Sequence, residues 1–271
     1  MIIIGERINC TRKGIGQAVE ARDEKFIQTE AINQINAGAD FLDVNSGGHP
    51  GREATDMEWL VKTVRGVTDV PLCIDIADPV AIEAGLKLHG TGKPIINSVT
   101  NEEKRINEIL PLVKKYNSYI VALCLEEGGV GVPSGAGSGA EKRIEIAGKL
   151  IKKILNYGIS IEDIFVDPCV FPLSTDSTQA IALIDAINGI KKEFPGIKFT
   201  IGLSNISYGL PHRPLINQTF LTLLLAAGLD AALIDPTDKR MMAGLLATNA
   251  LLNKDEYCMQ YLTAYKEGKI V

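Results

Sequence analysis

The sequence has no apolar run long enough to span a bilayer and no excess of positive charge. Its longest apolar runs, residues 119–125 and 219–229, fall well short of the roughly 20 residues that a membrane helix needs. The opening "MIIIGERIN" has neither the basic start nor the cleavage site of a secretory signal. The net charge of −5 gives no attraction for nucleic acid or anionic membranes. We therefore expect a soluble, cytoplasmic protein that binds neither nucleic acid nor membranes.

The cysteines and histidines are not arranged for disulfides or for a metal. Five cysteines are an odd number in a chain of ordinary size, which is not typical of a secreted disulfide scaffold. No close Cys-x-x-Cys pair occurs, and the three histidines are not spaced as metal ligands; these histidines are His49, His89 and His212. We predict reduced thiols and no metal site.

Short β-branched runs alternate with longer amphipathic segments along the whole sequence. The predicted strands are residues 1–9, 41–45, 71–76, 94–99, 119–125, 164–170, 198–205 and 231–236. Helical patterns cover residues 20–37, 53–67, 79–89, 102–116, 140–157, 175–194, 215–227, 238–252 and 254–267. Such an alternation predicts a parallel sheet with helical crossovers. Eight units in ~250 residues favour an α/β fold, a closed (β/α)8 TIM barrel, as a single domain over residues 1–271.

Two glycine-rich signals of nucleotide binding are missing. No G-x-G-x-x-G follows the first predicted strand, which weakens the alternative of an open, doubly wound dinucleotide-binding fold. The segment "GGVGVPSGAGSG" at 128–139 lacks the lysine and the Ser/Thr of a phosphate-binding P-loop. We interpret it as a mobile surface loop, with a lid that orders when a partner docks as the alternative.

Polar residues cluster where the predicted strands end. In a TIM barrel these ends carry the catalytic residues, and Asp or Asn stands at seven of the eight. The polar strand-end residues are Glu6, Arg7, Asn9, Asp43, Asn45, Asp75, Asn97, Ser98, Asp167, Ser204, Asn205 and Asp235. Any single one could instead cap a neighbouring loop or helix. Together they indicate a ring of acceptors for a ligand with several N–H donors, such as an aminopyrimidine or a pterin.

Few cations accompany this ring of acceptors. Arg213, and more weakly Arg7, lie close to predicted strand ends. One arginine beyond an acceptor-lined pocket suits a ligand with a heterocyclic head and a carboxylate tail. The alternative is that Arg213 is a surface residue at the start of a helix, directly before Pro214.

Several segments, in order and at matching spacing, resemble the pterin-binding barrels of cobalamin-dependent methyltransferases. They are "MIIIGERIN", "FLDVN", "MEWLV", "LCIDI" followed by "AIEAGL", "PIINSV", "VDPCVFP", "GLSNIS", "RPLINQTFL" and "GLDAALIDP". The resemblance covers nearly the whole chain and is strongest to the methyltetrahydrofolate–corrinoid protein methyltransferases of anaerobic one-carbon metabolism. It implies a dihydropteroate synthase-like barrel and a homodimer.

The resemblance also implies how the pterin ring is bound. Asp75, Asn97 and Asp167 would bind the amino and ring N–H groups of the pterin. Gly202 and Ser204 would line the same pocket through the backbone and the hydroxyl group.

Further residues would surround the rest of the folate. Asn205 corresponds to the asparagine that approaches the reactive N5, and Arg213, in "RPLIN", would meet the aminobenzoyl-glutamate tail. The floor and mouth of the pocket would be formed by Glu6, Asn9, Asp43 and Asn45. The segment "ISYGLPH" at 206–212 departs from the acetogen-type pattern, which affects tail contacts and the choice of corrinoid protein.

The implied reaction is an in-line displacement that moves a methyl group between N5 and cobalt. Asn205 would be catalytic by stabilising charge at N5, although an amide cannot be a general acid. The proton would come from solvent or through a network that includes Asp43 or Asp167, so these two carboxyls are also predicted to be catalytic. No side chain needs to be a nucleophile. The sequence holds no "DxHxxH" corrinoid motif, so we expect the corrinoid on a separate protein.

Several functions stay open at this point. The departure at 206–212 favours transfer from a methylcorrinoid protein to tetrahydrofolate in a demethylation pathway. The reverse transfer, from methyltetrahydrofolate to a corrinoid iron–sulfur protein in acetyl-CoA synthesis, is the alternative. Dihydropteroate synthase is a third reading, although "ALIDPTDKR" is only a weak version of its basic cluster. A non-enzymatic folate-binding or scaffold protein is disfavoured, because buried acids at an open barrel mouth destabilise a fold unless they meet a ligand.

Overall fold

The structure is a computed structural model that describes residues 1–125 and 139–270. Its strands are β1 Ile2–Asn9, β2 Phe41–Asn45, β3 Leu72–Asp75, β4 Ile95–Val99, β5 Tyr119–Leu123, β6 Ile164–Asp167, β7 Lys198–Phe199 and β8 Ala231–Ile234. Its helices are α1 Lys13–Ala21, α2 Glu24–Asn36, α3 Glu53–Arg65, α4 Pro79–Leu88, α5 Glu103–Lys115, α6 Ala140–Asn156, α7 Gln179–Glu193, α8 Arg213–Ala227, α9 Lys239–Leu251 and α10 Met259–Lys266.

The eight strands form one parallel sheet that curls into a barrel. The order is β7-β6-β5-β4-β3-β2-β1-β8, and β1 pairs in parallel with both β2 and β8. The remaining gap lies between β7 and β8. There Gly202 forms an isolated parallel bridge with Leu233, and the Leu233 N–H donates to the Ile201 carbonyl oxygen at 2.9 Å. The predicted (β/α)8 barrel is confirmed, with its weakest seam at β7.

Strand alternation explains why acids lie at one end of the barrel. The interior is packed with apolar side chains, namely Ile4, Cys73, Ile95, Val121, Phe165 and Ala231. Because successive side chains point to opposite faces of a strand, the residue two positions later also points inward. Two positions after four of these interior residues come Glu6, Asp75, Asn97 and Asp167. The sequence therefore places polar side chains directly above an apolar barrel core.

A bulge in β1 separates two neighbouring charged residues. The register between β1 and β2 shifts between Gly5 and Ile8. At this point the buried Gln34 side chain accepts a hydrogen bond from the Arg7 N–H at 3.0 Å. Bulges redirect side chains, and here Arg7 leaves the interior while Glu6 keeps its inward position.

Three predicted elements differ from the structure. The helix predicted at 20–37 is α2, which begins only at Glu24 because Asp23 accepts a hydrogen bond from the Phe26 N–H at 3.0 Å, and the preceding helix α1 was not predicted. The strand predicted at 164–170 ends at Asp167, where Pro168 has no N–H to continue the ladder. The strand predicted at 198–205 has only two residues, and its last part is a 3-10 helix, Leu203–Ser207.

Three further predictions concern the cysteines, membrane-spanning helices and the glycine-rich segment. All five cysteines are unpaired. Within residues 1–125 and 139–270, no helix is long and apolar enough to cross a membrane. The glycine-rich segment predicted to be a loop or lid, 128–139, lies outside the described residues except for Gly139.

Candidate functional site

A cavity of about 730 Å³ opens at the C-terminal ends of the strands. Of the residues predicted to bind folate or to act in catalysis, all but Asn45 line it, that is Glu6, Asn9, Asp43, Asp75, Asn97, Asp167, Gly202, Ser204, Asn205 and Arg213. Residues that lie far apart in the sequence thus meet around one space. The volume is within the range of small-molecule and cofactor sites.

Asn45 supports the cavity from behind its wall. Its side-chain Nδ2 donates to Asp75 Oδ2 at 2.9 Å, and its Oδ1 accepts from the Gly47 N–H at 2.8 Å. The amide is therefore held from both ends and fixes the orientation of the Asp75 carboxyl. Asp75 in turn lies beside Asn97, its register partner on β4. Asn45 acts on this site as a positioning residue.

Asp43 is the most deeply buried acid of the site. Its side chain is 1% exposed, and its Oδ1 has no hydrogen-bond partner among the described residues. Burial raises its pKa well above the usual range, and the nearby Asp75 and Glu6 raise it further, while a hydrogen bond from the Cys73 thiol lowers it. An unsatisfied buried carboxyl oxygen is costly. Because Asp43 lies in the cavity wall, this oxygen is available to a donor group of a bound ligand.

The other acids of the floor also have raised pKa values. Burial raises the pKa of Glu6 to about 7, against the opposing effects of Arg12, Arg213 and Arg7. Burial likewise raises the pKa of Asp167 to about 6, although the N–H groups of Cys169 and Gly202 stabilise the charged form. The Cys169 N–H donates to Asp167 Oδ1 at 2.8 Å.

Burial raises the pKa of Asp75 as well, while the Asn45 hydrogen bond lowers it. Clustered carboxyls with raised pKa values are typical of functional sites.

Two arginines hold the backbone next to these acids. The half-buried Arg105 donates from its guanidinium to the carbonyl oxygen of Ala77, which follows β3, and at 2.8 Å to that of Ser98, which lies within β4. Arg143, 2% exposed, donates from Nε to the Pro168 carbonyl oxygen at 2.8 Å. The segments after β3 and β6 and the end of β4 are therefore anchored to helices α5 and α6.

The segment after β7 supplies the wall opposite these loops. Ser204 and Asn205 lie in the 3-10 helix Leu203–Ser207, and Asn205 is exposed to the cavity. Arg213 begins α8 and donates from Nη2 to the Ser204 carbonyl oxygen at 2.6 Å and from Nε to Ser207 Oγ at 3.0 Å. Arg213 is thus fixed at the cavity edge rather than free on the surface.

Arg7 does not contribute to the cavity, contrary to its weak assignment from the sequence. It pairs through Nε with Glu30 and through Nη1 with Asp235, both at 2.7 Å. Its charge is used to fix β1 against α2 and the loop after β8.

Some lining residues were not predicted from the sequence. They are Thr11, Arg12, Leu203, Pro214, Asn217, Leu233, Ile234, Asp238 and Met241. Asn217 comes one helical turn after Arg213 and shares its face of α8, which is a signal that could have identified it. Arg12 lies beyond the end of β1, where no periodicity applies.

The floor of the cavity is a set of hydrogen-bond acceptors. Within residues 1–125 and 139–270, no group of three or more His, Cys, Asp or Glu side chains could hold a metal ion. The described acids and amides suit a ring rich in N–H groups.

Comparison with protein families and curated sequences agrees with this geometry. A family model described as pterin binding enzyme matches residues 5–235. The chain is 36% identical over 271 residues to the methylcorrinoid:tetrahydrofolate methyltransferase of Eubacterium limosum, covering 100% of this chain and 98% of that relative. It is 33% identical over 248 residues to the methionine synthase of Mycobacterium tuberculosis, covering 86% of this chain but 20% of that longer protein.

Solved structures show the same fold. Dihydropteroate synthase of Burkholderia cenocepacia, complexed with 7,8-dihydropteroate, matches with a TM-score of 0.69 and 19% identity over 94% of this chain and 93% of that one. The Xanthomonas albilineans dihydropteroate synthase in complex with 7,8-dihydropteroate matches with a TM-score of 0.71 and 16% identity, over 93% of each chain. At these identities the likeness concerns the fold.

Asp43→Asn is expected to stabilise the ligand-free protein at about pH 8 by roughly 1–3 kcal/mol, because the neutral amide needs neither a buried charge nor the uptake of a proton on folding. Burial raises the pKa of Asp43 well above its usual range. The contribution of this carboxyl to folding stability is therefore fully present below the pKa of the unfolded chain and is lost as the pH rises through the folded-state pKa. The stability gained by Asp43→Asn should accordingly be smaller at about pH 5 than at about pH 8.

Thermal unfolding at both pH values would measure this difference, with Asp185→Asn on the exposed face of α7 as the control. An Asp43→Asn gain of equal size at both pH values would contradict the assignment of a buried, titrating carboxyl.

Proposed function

This chain belongs to the pterin-binding enzyme family, and we propose that it transfers a methyl group from a methylated corrinoid protein to N5 of tetrahydrofolate. The chain is a methyltransferase, as is by name the Eubacterium limosum relative that matches it over its whole length. The observation that carries the substrate assignment is the match to the Eubacterium limosum enzyme, at 36% identity over 98% of its length.

The cavity supports tetrahydrofolate as the methyl acceptor. A pterin presents an amino group and ring N–H groups to one side, and the described floor offers the carboxyls of Asp75 and Asp167 and the amide of Asn97. Both carboxyls are already oriented, Asp75 by Asn45 and Asp167 by the Cys169 N–H. Preorganised acceptors cost little to order when a ligand binds. We assign these three residues to pterin binding, with Gly202 and Ser204 on the adjacent wall.

Asn205 is the residue that we assign to the reacting atom. As the N5 lone pair forms its bond to the methyl carbon, N5 carries both its proton and the methyl group and gains positive charge. The Asn205 carbonyl oxygen can accept from this N5–H and stabilise the charge. When the reaction runs in reverse, the same contact holds the proton on N5 while the carbon–nitrogen bond breaks.

The N5 proton must leave once the methyl group is bound. Asp167, with a pKa of about 6, is mostly ionised near about pH 7 and can accept a proton. Asp43, whose pKa is raised well above the usual range, lies in the same cavity wall and can pass protons between the acids. We therefore assign Asp43 and Asp167 to a proton network that connects N5 with solvent.

The corrinoid, bound to a separate partner protein, would supply the methyl group on its cobalt and keep the electron pair of the broken cobalt–carbon bond. The part contributed by this chain is an open cavity mouth through which N5 remains accessible. None of the lining side chains has to form a covalent bond with the methyl group.

Two rival reactions use a similar site. Transfer from methyltetrahydrofolate to a corrinoid iron–sulfur protein is the same reaction in reverse, and the partner's redox state and supply of methyl groups decide the direction. Dihydropteroate synthase rests on the fold likeness alone, at 16–19% identity. An assay with 4-aminobenzoate and a dihydropterin diphosphate would give product only if that rival were correct.

The proposed function predicts both tetrahydrofolate binding and methyl transfer. Calorimetry should give micromolar tetrahydrofolate affinity, which Asp75→Ala abolishes because it removes an oriented acceptor from the floor. With free methylcobalamin or a methylated corrinoid protein, the enzyme should form methyltetrahydrofolate. Absence of both folate binding and methyl transfer would overturn the proposal.

Asn205→Ala is expected to lower kcat by roughly 10²-fold while weakening tetrahydrofolate affinity only a few-fold, because its contact strengthens as N5 becomes charged. Single-turnover rates and calorimetric affinities would separate the two effects. Equal losses in rate and in affinity would show that Asn205 only binds the ligand.

We further propose a cytoplasmic homodimer. Five large apolar side chains within residues 251–265 are exposed, namely Leu251, Tyr257, Met259, Leu262 and Tyr265. Such clustering is typical of interaction surfaces. Sedimentation should give twice the chain mass, and Leu262→Glu should shift it towards monomer, because it places a charge in the interface. A monomeric wild-type protein would contradict the dimer, and activity confined to a membrane fraction would contradict the location.

A further inference from the structure

The cavity has opposite charge at its two ends. Its floor is formed by the acids described above, whereas its mouth carries Arg12 and Arg213, which both line the cavity. Two acids also lie near the mouth, but their oxygens are engaged by the protein. Asp235 accepts from Arg7 and Thr237, and Asp238 accepts from the Arg240 and Met241 N–H groups at the start of α9.

The two guanidinium groups keep donors available. Arg213 uses Nε and Nη2 for Ser207 and Ser204, and Nη1 has no protein partner within the described residues. The Arg12 side chain makes no hydrogen bond or ion pair with any residue of 1–125 and 139–270 that the structure describes. Both groups lie close enough to Glu6 to oppose the effect of burial on its pKa. They therefore flank the same space from α1 and α8.

The helix ends at the mouth reinforce this positive charge. Arg12 is the N-cap of α1 and His212 is the N-cap of α8, and neither side chain caps its helix. Helix N-termini carry free N–H groups and a partial positive charge. By contrast, the N-terminus of α9 is capped by the Asp238 carboxylate. The mouth thus presents two cationic side chains and two uncapped helix starts on one side.

A buried carboxyl oxygen at the floor of the cavity indicates how a ligand must be oriented. The unpartnered Oδ1 of Asp43 requires an N–H donor or a proton at the floor. A ligand that satisfies both ends has N–H groups at its head and more than one carboxylate at its tail. Tetrahydrofolate has this polarity, since its glutamate carries an α- and a γ-carboxylate.

We propose that Arg12 determines substrate specificity together with Arg213: the two arginines bind the carboxylates of the folate's glutamate tail and favour oligoglutamylated folates. This inference rests on the proposed function. Beyond the first glutamate, Lys13 follows Arg12, and Arg240 lies between the lining residues Asp238 and Met241. Both are exposed cations that further glutamates can reach.

Calorimetry with three ligands distinguishes binding of the pterin head from binding of the glutamate tail. The ligands are 6-methyltetrahydropterin, which is the head alone, tetrahydrofolate, and its triglutamate. The variants are Arg12→Ala, Arg12→Lys, which keeps the charge but loses the planar fork, and the control Lys104→Ala. Lys104 lies on α5 with a side chain 85% exposed and is not part of the cavity lining.

Arg12→Ala should weaken tetrahydrofolate binding by about tenfold and leave 6-methyltetrahydropterin binding unchanged. Arg12→Lys should fall between wild type and Arg12→Ala, and Lys104→Ala should match wild type. The triglutamate should bind wild type more tightly than tetrahydrofolate, with an advantage that declines as salt is added.

If Arg12→Ala bound tetrahydrofolate as tightly as wild type does, the assignment of Arg12 to the glutamate tail would be overturned. The same would follow if Arg12→Ala lost as much affinity for 6-methyltetrahydropterin as for tetrahydrofolate. Equal wild-type affinity for one and three glutamates would overturn the preference for oligoglutamylated folates. If wild type did not bind 6-methyltetrahydropterin, the proposed function would fail, and not only the assignment of Arg12.

Discussion

The central constraint of this molecule is the burial of four carboxyl groups at one end of an apolar barrel. Glu6, Asp43, Asp75 and Asp167 lie above a core of aliphatic and aromatic side chains, and burial raises the pKa of each. Burying ionisable groups without partners destabilises a fold by several kcal/mol. The site is thus a region where stability is lost in favour of recognition. Binding of a ligand with N–H donors recovers part of the folding stability that is lost by burying these groups.

The rest of the barrel holds this unfavourable arrangement in place. Asn45 fixes the Asp75 carboxyl from behind, while Arg105 and Arg143 anchor the segments after β3 and β6. The Asn45 hydrogen bond limits rotation of the Asp75 carboxyl, and the two arginines hold the backbone beside the acids. Orientation before binding lowers the entropic cost of recognising a small heterocycle. The supporting residues explain why loops at an open mouth can form a defined site.

The sequence predicts this site well where a local pattern controls it. Alternation within short strands correctly placed Asp43, Asp75 and Asp167 inside the barrel, because each follows inward-pointing apolar residues by two positions. Asn45 obeys the same alternation, yet its side chain turns to a neighbouring strand, a contact that no local pattern specifies. Arg12 lies past the end of a strand and reaches the cavity only through the path of the following turn.

The seam of the barrel was the least predictable part of the fold. An apolar, β-branched run suggested a full strand ending at Asn205, but regular pairing stops at Phe199 and the chain turns into a 3-10 helix. Closure depends instead on the isolated bridge between Gly202 and Leu233. Tertiary contacts override local propensity here, and the outcome is that Asn205 extends into the cavity rather than continuing a strand.

The most direct test of this account is to count the protons exchanged when tetrahydrofolate binds. Calorimetry in buffers of different ionisation enthalpy gives this number. Near about pH 6, where the raised pKa values leave the floor partly protonated, hydrogen bonds from the pterin to ionised carboxylates should release protons. The release should be smaller in Asp167→Asn. Tight binding with no proton release at this pH would contradict the claim that the buried carboxyls receive the ligand.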